Sequence, residues 1–305
     1  MSPSALEFAG VSKWYGQVAA ITEVSLRIGP GVTGLVGQNG AGKSTLMKLA
    51  CGLLRPSLGQ VRVNGGSPDR VATRRQIGFC PDLDRFYERL SGRRFVTWML
   101  RASGLGRSAA ATRAGEVLER LGLADAMDRQ IRGYSKGMRQ RVKLALTLAH
   151  EPAVVLLDEP LTGLDPVARH EVGELVRGLG HGGAAVLVSS HVLHELQAFA
   201  DLFVLMHQGR IVAEGALAEL RAQLAERPRR LALRSDQPRR LARRLCELDQ
   251  VSAVEIDARG VVIETTGGAQ LSQRLTALGA ESGLVRELLP LDDSLEAVFG
   301  YLVES

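Results

Sequence analysis

Along the first part of the chain, apolar positions come in short runs rather than long amphipathic stretches. The segments Val32–Val36, Val154–Leu157 and Ala185–Val188 are almost wholly apolar, as strands covered on both faces are. Val24–Ile28 alternates instead, and Leu6–Phe8, Gln60–Val63, Gln76–Phe79 and Leu202–Met206 complete the expected strands. Each of the three apolar runs leads through a polar or glycine-rich turn into a helical pattern. That succession predicts a parallel α/β sheet whose ligand lies at the carboxyl ends of its strands. From about Asp82 to Ala149 the period becomes helical, at Phe95–Ala102, Thr112–Leu121 and Lys136–Ala149, punctuated by Gly104, Gly106, Gly122 and Gly133. A helical insertion over about 82–149 is therefore expected within the sheet domain.

Beyond Gly215 the pattern shifts again. A helix-like stretch, Ala218–Glu226, runs into Pro228. After it the periodicity predicts strand 230–234, helix 238–248, strands 252–256 and 261–265, helix 270–278, strand 283–288 and helix 293–303. The order βαββαβ with a closing helix predicts a small ferredoxin-like α+β domain. The expected division is a first domain over 1–218, a linker over 219–229 and an accessory domain over 230–305.

Composition narrows the class. With 305 residues, 45% of them apolar, the chain can bury a core, and global disorder is excluded. The net charge of +5 rests on 33 Arg and only 5 Lys, a bias that reads as genome composition. Cys51, Cys80 and Cys246 form an odd set without CxxC spacing, so neither a disulfide framework nor a zinc site is expected. No basic segment leads into an apolar stretch at the N-terminus, and no apolar run approaches the roughly 18 residues of a membrane span. A soluble intracellular protein is expected.

The chemistry begins at Gly37-Gln38-Asn39-Gly40-Ala41-Gly42-Lys43-Ser44-Thr45, between the strand 32–36 and a helix from about Lys43 to Cys51. Glycines there let successive backbone N–H groups turn inward on an anion, and the helix N-terminus adds its positive dipole end. Lys43 can reach the β- and γ-phosphates and the Ser44 hydroxyl can ligate Mg²⁺. An ordinary glycine-rich turn would not need the full GxxxxGK[ST] spacing. Val154-Val155-Leu156-Leu157-Asp158-Glu159 ends a buried strand in two acids, which is costly unless the acids have work to do. Asp158 can hold Mg²⁺ and Glu159 can act as general base toward water.

Three further motifs complete the set. Along the chain the order is Gly37–Thr45, then Tyr134-Ser135-Lys136-Gly137-Met138-Arg139-Gln140-Arg141 just before the apolar strand, then Val154–Glu159, then Pro160-Leu161-Thr162-Gly163-Leu164-Asp165-Pro166, then Ser189-Ser190-His191. In this order the five resemble the ATP-binding subunit of ABC transporters, over roughly residues 4–218. The resemblance implies a P-loop NTPase sheet core with an inserted helical subdomain. It makes Tyr15 the aromatic that stacks on adenine, Gly37–Thr45 the Walker A loop, and Asp158 and Glu159 the Walker B acids. Ser135 and Gly137 fall on the signature motif, which contacts the γ-phosphate held by the opposite subunit. Gly163–Asp165 resembles the D-loop, and His191 the switch histidine on the γ-phosphate. Lys43, Glu159 and His191 would then carry catalysis.

Two departures stand out. The signature reads Tyr-Ser-Lys-Gly-Met rather than Leu-Ser-Gly-Gly-Gln, a variant that resembles the ABC-2-type exporter ATPases. Asp82, in Phe79-Cys80-Pro81-Asp82, stands where the family has a Gln; it can meet Mg²⁺ but has no amide to donate. The end of the chain, Asp293-Ser294-Leu295-Glu296-Ala297-Val298-Phe299, also resembles the appended domain of those ATPases. Within Arg221–Arg244 nine Arg face two acids, and after Leu245 three Arg face eleven. A solvated helix face explains the basic stretch; without aromatics there, no nucleic-acid partner is expected.

The resemblance thus implies ATP and Mg²⁺ as ligands and a head-to-tail pairing with a second copy or a paralogous ATPase subunit. It implies separate membrane-spanning permease subunits, and a place on the inner face of the cell membrane. The alternatives are a non-transport ABC ATPase acting on nucleic acid or the ribosome, and a catalytically weak partner subunit. The stretch between Lys43 and Val154 leaves no room for the coiled coil of the first, and intact Glu159 and His191 argue against the second.

Overall fold

Residues 5–222, 229–257, 260–265, 271, 274–275 and 283–291 are described in the computed structural model of the chain, which falls into two compact units, Met1–Glu214 and Gly215–Ser305. The first unit opens with two long antiparallel strands, β1 (Leu6–Tyr15) and β2 (Val18–Ile28). Then come β3 (Gly31–Val36), α1 (Lys43–Ala50), β4 (Leu58–Val63), the short α2 (Val71–Arg74) and β5 (Ile77–Cys80). Helices α3 (Gly92–Ala102), α4 (Arg107–Arg120) and α5 (Lys136–Leu148) follow. The unit continues with β6 (Val154–Leu157), α6 (Pro166–His181), β7 (Ala185–Ser190), α7 (Leu193–Gln197), β8 (Leu202–His207) and β9 (Arg210–Gly215).

These strands sort by their hydrophobic pattern. β6 and β7 are buried at every position and lie inside a six-stranded sheet of order β5-β6-β7-β3-β8-β9, parallel from β5 to β8. β2 and β4, where buried and exposed positions mix, flank β1 in a separate antiparallel sheet, the kind that can leave one face in water. Leu6, Phe8, Ile21 and Leu26 from that sheet meet Leu46, Met47 and Leu49 of α1 and Leu156, Leu187 and Val204 of the parallel sheet in one core.

Two strand expectations need correction. β1 runs on from Phe8 to Tyr15 because pairing with β2 and β4 across register shifts carries it through the exposed Ala9, Gly10, Trp14 and Tyr15, while Val11 and Ser12 between them are buried. β9 was not expected at all: its residues are only half-buried, and it exists because Gln208 (φ 45) and Gly209 (φ 78) turn the chain tightly back onto β8.

The insertion builds a core of its own. Phe95, Val96 and Leu100 of α3 pack with Ala114, Val117 and Leu118 of α4 and with Val142 and Ala145 of α5. Tyr134 anchors the loop before α5, its hydroxyl donating to the Ala126 carbonyl at 2.7 Å, and burial raises its pKa.

In the second unit, α8 (Leu217–Ala222) precedes β10 (Arg229–Arg234), α9 (Pro238–Leu245), β11 (Val251–Asp257), β12 (Gly260–Thr265) and β13 (Glu287–Pro290). The sheet order is β11-β12-β10-β13 with every pair antiparallel, the ferredoxin-like arrangement. Leu241 and Leu245 of α9 cover Leu231, Leu233, Val261 and Ile263. Of the helix expected at 270–278, Leu271, Arg274 and Leu275 are helical, and both leucines enter this core. The strand expected at 283–288 begins later, because Leu284 is buried in the core and pairing with β10 starts only at Glu287. The helix expected at 293–303 lies outside the described residues.

Candidate functional site

Residues 37–42 form the turn from β3 into α1, which opens with Lys43, Ser44 and Thr45. Gly42 sits at φ 106 as the N-cap of α1, and no side chain caps that helix, so its first amides have no side-chain acceptor. A Cβ on Gly42 would lie 2.7 Å from the Ala20 carbonyl and 2.8 Å from Ile21 Cδ1, so β2 closes one side of the loop. The unexpected β8–β9 turn closes another: the Gly209 N–H donates to the Ala41 carbonyl at 3.0 Å, and the Thr22 N–H donates to the Gly209 carbonyl at 2.8 Å. Gln38, Asn39, Gly40 and Ser44 are exposed and Thr45 is half-buried. A glycine-bordered ring of amides with a free helix N-terminus suits a phosphate chain.

Lys43 is buried at the centre. Its ammonium donates to the Gly37 carbonyl at 2.6 Å and the Gln38 carbonyl at 3.3 Å, and lies 3.4 Å from Glu159 Oε1. That oxygen is buried and, the ion pair apart, accepts no hydrogen bond. The other oxygen is well supplied. Glu159 Oε2 is 2.8 Å from His191 Nδ1 and accepts from the Thr162 hydroxyl at 3.2 Å. The backbone of Glu159 has φ 49, a strained conformation for a non-glycine residue and one that clusters at functional sites.

Asp158, 4% exposed at the end of β6, accepts from the Ser189 hydroxyl at 2.8 Å. The same hydroxyl oxygen accepts from the Glu159 N–H at 2.9 Å. Ser189, on the neighbouring strand β7, therefore fixes both acids at once. The sequence marked Ser189 and Thr162 as members of motifs without giving either a task. The signal was there: a fully buried hydroxyl closing an apolar strand needs a partner.

Asp82 follows β5, whose Cys80 lies beside Leu157 and whose carbonyl accepts from the Asp158 N–H at 2.9 Å. Its own carbonyl accepts from Lys143, and it is exposed. Among the described residues no three His, Cys, Asp or Glu side chains gather into a metal-binding group. The chemistry of Asp158 and Ser44, a buried acid and an exposed hydroxyl opening α1, nonetheless fits a hard cation that keeps most of its water. Burial pushes the Cys80 thiol up to about 11, which keeps it protonated and unsuited to ligate a metal.

The remaining expected residues lie at loop ends. Tyr15 is exposed at the end of β1 and pairs with Val18 of β2, two residues before the Ala20 that abuts Gly42, with the Lys13 ammonium 5.7 Å from its ring centroid. Ser135 caps α5, its hydroxyl accepting from the Met138 N–H at 3.2 Å, with Gly137 in the first turn. Asp165 caps α6 by accepting from the Ala168 N–H at 2.9 Å, just before Pro166.

A parallel sheet with a phosphate loop after one strand and a paired acid dyad at the end of another defines a P-loop nucleotide hydrolase. The sequence model described as ABC transporter matches residues 21–162. The chain is 41% identical over 226 residues to the daunorubicin resistance ATP-binding protein DrrA3 of Streptomyces coeruleorubidus, covering 73% of this chain and 72% of that one. It is 36% identical over 208 residues to the ABC transporter ATP-binding protein NatA of Bacillus subtilis, covering 67% and 84%. A solved structure of an ATP-binding subunit of an ABC transporter superposes with a TM-score of 0.65 at 31% identity, covering 72% of this chain and 93% of that one. The chain belongs to the ABC transporter family and is one of its ATP-hydrolysing, ATP-binding subunits. No helix among the described residues is long and apolar enough to cross a membrane.

Proposed function

We infer that this ATPase powers an exporter, working in pairs on permease subunits at the inner face of the cell membrane. Two similar proteins named for drug resistance or as transporter subunits support the reading. The observation that carries the chemistry is the Glu159 carboxylate, with one oxygen held by His191 and Thr162 and the other buried without a donor. That free oxygen is the acceptor for a water proton. As the proton passes to Glu159 Oε1, the water oxygen bonds to the γ-phosphorus and the bond to the β–γ bridging oxygen breaks, giving ADP and phosphate. Lys43 and the amides of 37–45 stabilise the charge that builds on the phosphate oxygens, and His191 adds to it from the opposite side of Glu159. Ser44 and Asp158 would hold Mg²⁺, with Asp82 in its water shell; bound Mg²⁺ neutralises the phosphate oxygens. Tyr15 stacks on adenine.

In the paired state Ser135 and Gly137 reach the γ-phosphate of the partner's ATP, and Asp165 lies at the same seam. ATP then bridges two surfaces, and hydrolysis cuts the bridge. Glu159→Gln should migrate as a dimer in ATP and a monomer in ADP on size exclusion. Adding Ser135→Arg should abolish the dimer while a fluorescent-nucleotide titration shows ATP binding nearly intact. A double variant that still dimerises, or whose nucleotide affinity collapses, would refute the cross-subunit role of Ser135.

A further inference from the structure

Helix α5 carries Lys136, Arg139, Arg141 and Lys143, and three of these meet a carboxylate. Arg139 bonds Glu88 at 2.6 and 2.9 Å, Arg141 pairs with Glu171, and Lys143 lies 2.9 Å from Asp84. Lys136 is the exception: among the described residues no acid stands within ion-pair distance of it. Its side chain instead lies along Gly163. A Cβ on Gly163 would overlap the Lys136 ammonium and fall 2.8 Å from its Cε and 3.1 Å from its Cδ. Gly163 also has φ +69, a conformation that favours glycine, and the absence of a side chain there leaves room for the lysine to lie over the turn.

The turn beneath Lys136 leads straight to the base. The Thr162 N–H donates to the Glu159 carbonyl at 3.3 Å and the Thr162 hydroxyl donates to Glu159 Oε2 at 3.2 Å. The Leu164 N–H donates to the Leu161 carbonyl at 3.2 Å, closing the turn on the far side of Gly163. Whatever fixes Gly163 therefore fixes Thr162, and through it the oxygen that orients Glu159. Lys136 directly follows Ser135, the residue assigned above to the partner's γ-phosphate.

We propose that Lys136 is a positioning residue through which ATP bound across the dimer sets the base of its own chain: the partner's γ-phosphate pins the ammonium seated on Gly163, and so immobilises the turn that holds Thr162 on Glu159. This rests on the reading of Ser135 as a cross-subunit ligand. It predicts that the two sites hydrolyse ATP cooperatively and that the stem of Lys136 over Gly163 does not sustain the coupling without its charge.

The test is phosphate release against ATP concentration with the full-length chain. Wild type should give a Hill coefficient near the limit of about 2 for two sites. Lys136→Met keeps the stem over Gly163 but loses the charge; Lys136→Gly loses both. Each should fall to a Hill coefficient of about 1, whereas Lys136→Arg should retain the wild-type value. In a Glu159→Gln background, Lys136→Met should still dimerise with ATP, because Ser135 remains. Wild-type cooperativity in Lys136→Met, with or without loss in Lys136→Gly, overturns the proposal while leaving the Ser135 reading intact. Failure of Glu159→Gln itself to dimerise in ATP removes that reading and this proposal together.

Discussion

The two units of this chain use charge in opposite ways. In the first, Lys43, Asp158, Glu159 and Ser189 are brought together inside the protein, with Glu159 in a strained backbone and one carboxylate oxygen left without a donor. In the second, Arg230 pairs with Glu255 and Glu264 at 3.5 and 3.7 Å and Arg234 with Glu287 at 3.0 Å, all on side chains that water reaches. Four arginines of α9, Arg239, Arg240, Arg243 and Arg244, are exposed outright. Desolvation makes the difference. Charges held away from water act strongly on whatever enters, whereas exposed pairs are screened and contribute little to stability. The comparison also separates a functional cluster from a merely charged one: among the described residues the second unit has a buried acceptor without a donor at Gln250, but a strained backbone and such an acceptor fall on one residue only at Glu159.

The contrast can be pressed from its strongest point downward. Glu159→Gln should lower the rate of phosphate release by roughly 10²–10⁴-fold, the usual worth of a general base, with ATP still bound. A variant that turned over at the wild-type rate would remove Glu159 as the base. Lys43→Ala should weaken nucleotide binding by about 1.5–3 kcal/mol, the range for hydrogen bonds to a charged group, read by fluorescent-nucleotide titration. Ser189→Ala takes a donor from Asp158 and an acceptor from the Glu159 N–H; it should cost about 1–3 kcal/mol in urea unfolding and raise the Mg²⁺ needed for hydrolysis.

Asp82→Ala sharpens the comparison at the edge of the site. It should shift the Mg²⁺ dependence upward while Asp82→Gln is tolerated, and an unchanged dependence would take Asp82 out of the metal's surroundings. Smallest of all, Arg234→Ala in the second unit should change stability by no more than about 1 kcal/mol and leave ATP hydrolysis untouched. A large loss of turnover there would mean that the exposed pairs are more than surface.

Much of this was legible in the residues alone. The phosphate loop, the acid pair and their strands are local: glycine spacing, an apolar run and a helix start fix the backbone over a few residues, and the chemistry follows. The ferredoxin-like order of the second unit was likewise readable from alternating short strands and one basic amphipathic helix. What the residues could not settle was pairing between distant segments. Only the folded chain decides that β1, β2 and β4 leave the parallel sheet for their own, since alternation marks a half-exposed strand without naming its neighbours. Nor does any local pattern announce the Gln208-Gly209 turn as a wall of the phosphate loop, or Ser189 as the clamp on Asp158 and Glu159. Lys136 reads as an odd letter in a motif until the fold lays it on Gly163. The sequence determined which groups are present and what each can do; tertiary packing decided which of them meet, because contacts between remote segments depend on how the sheets and helices assemble.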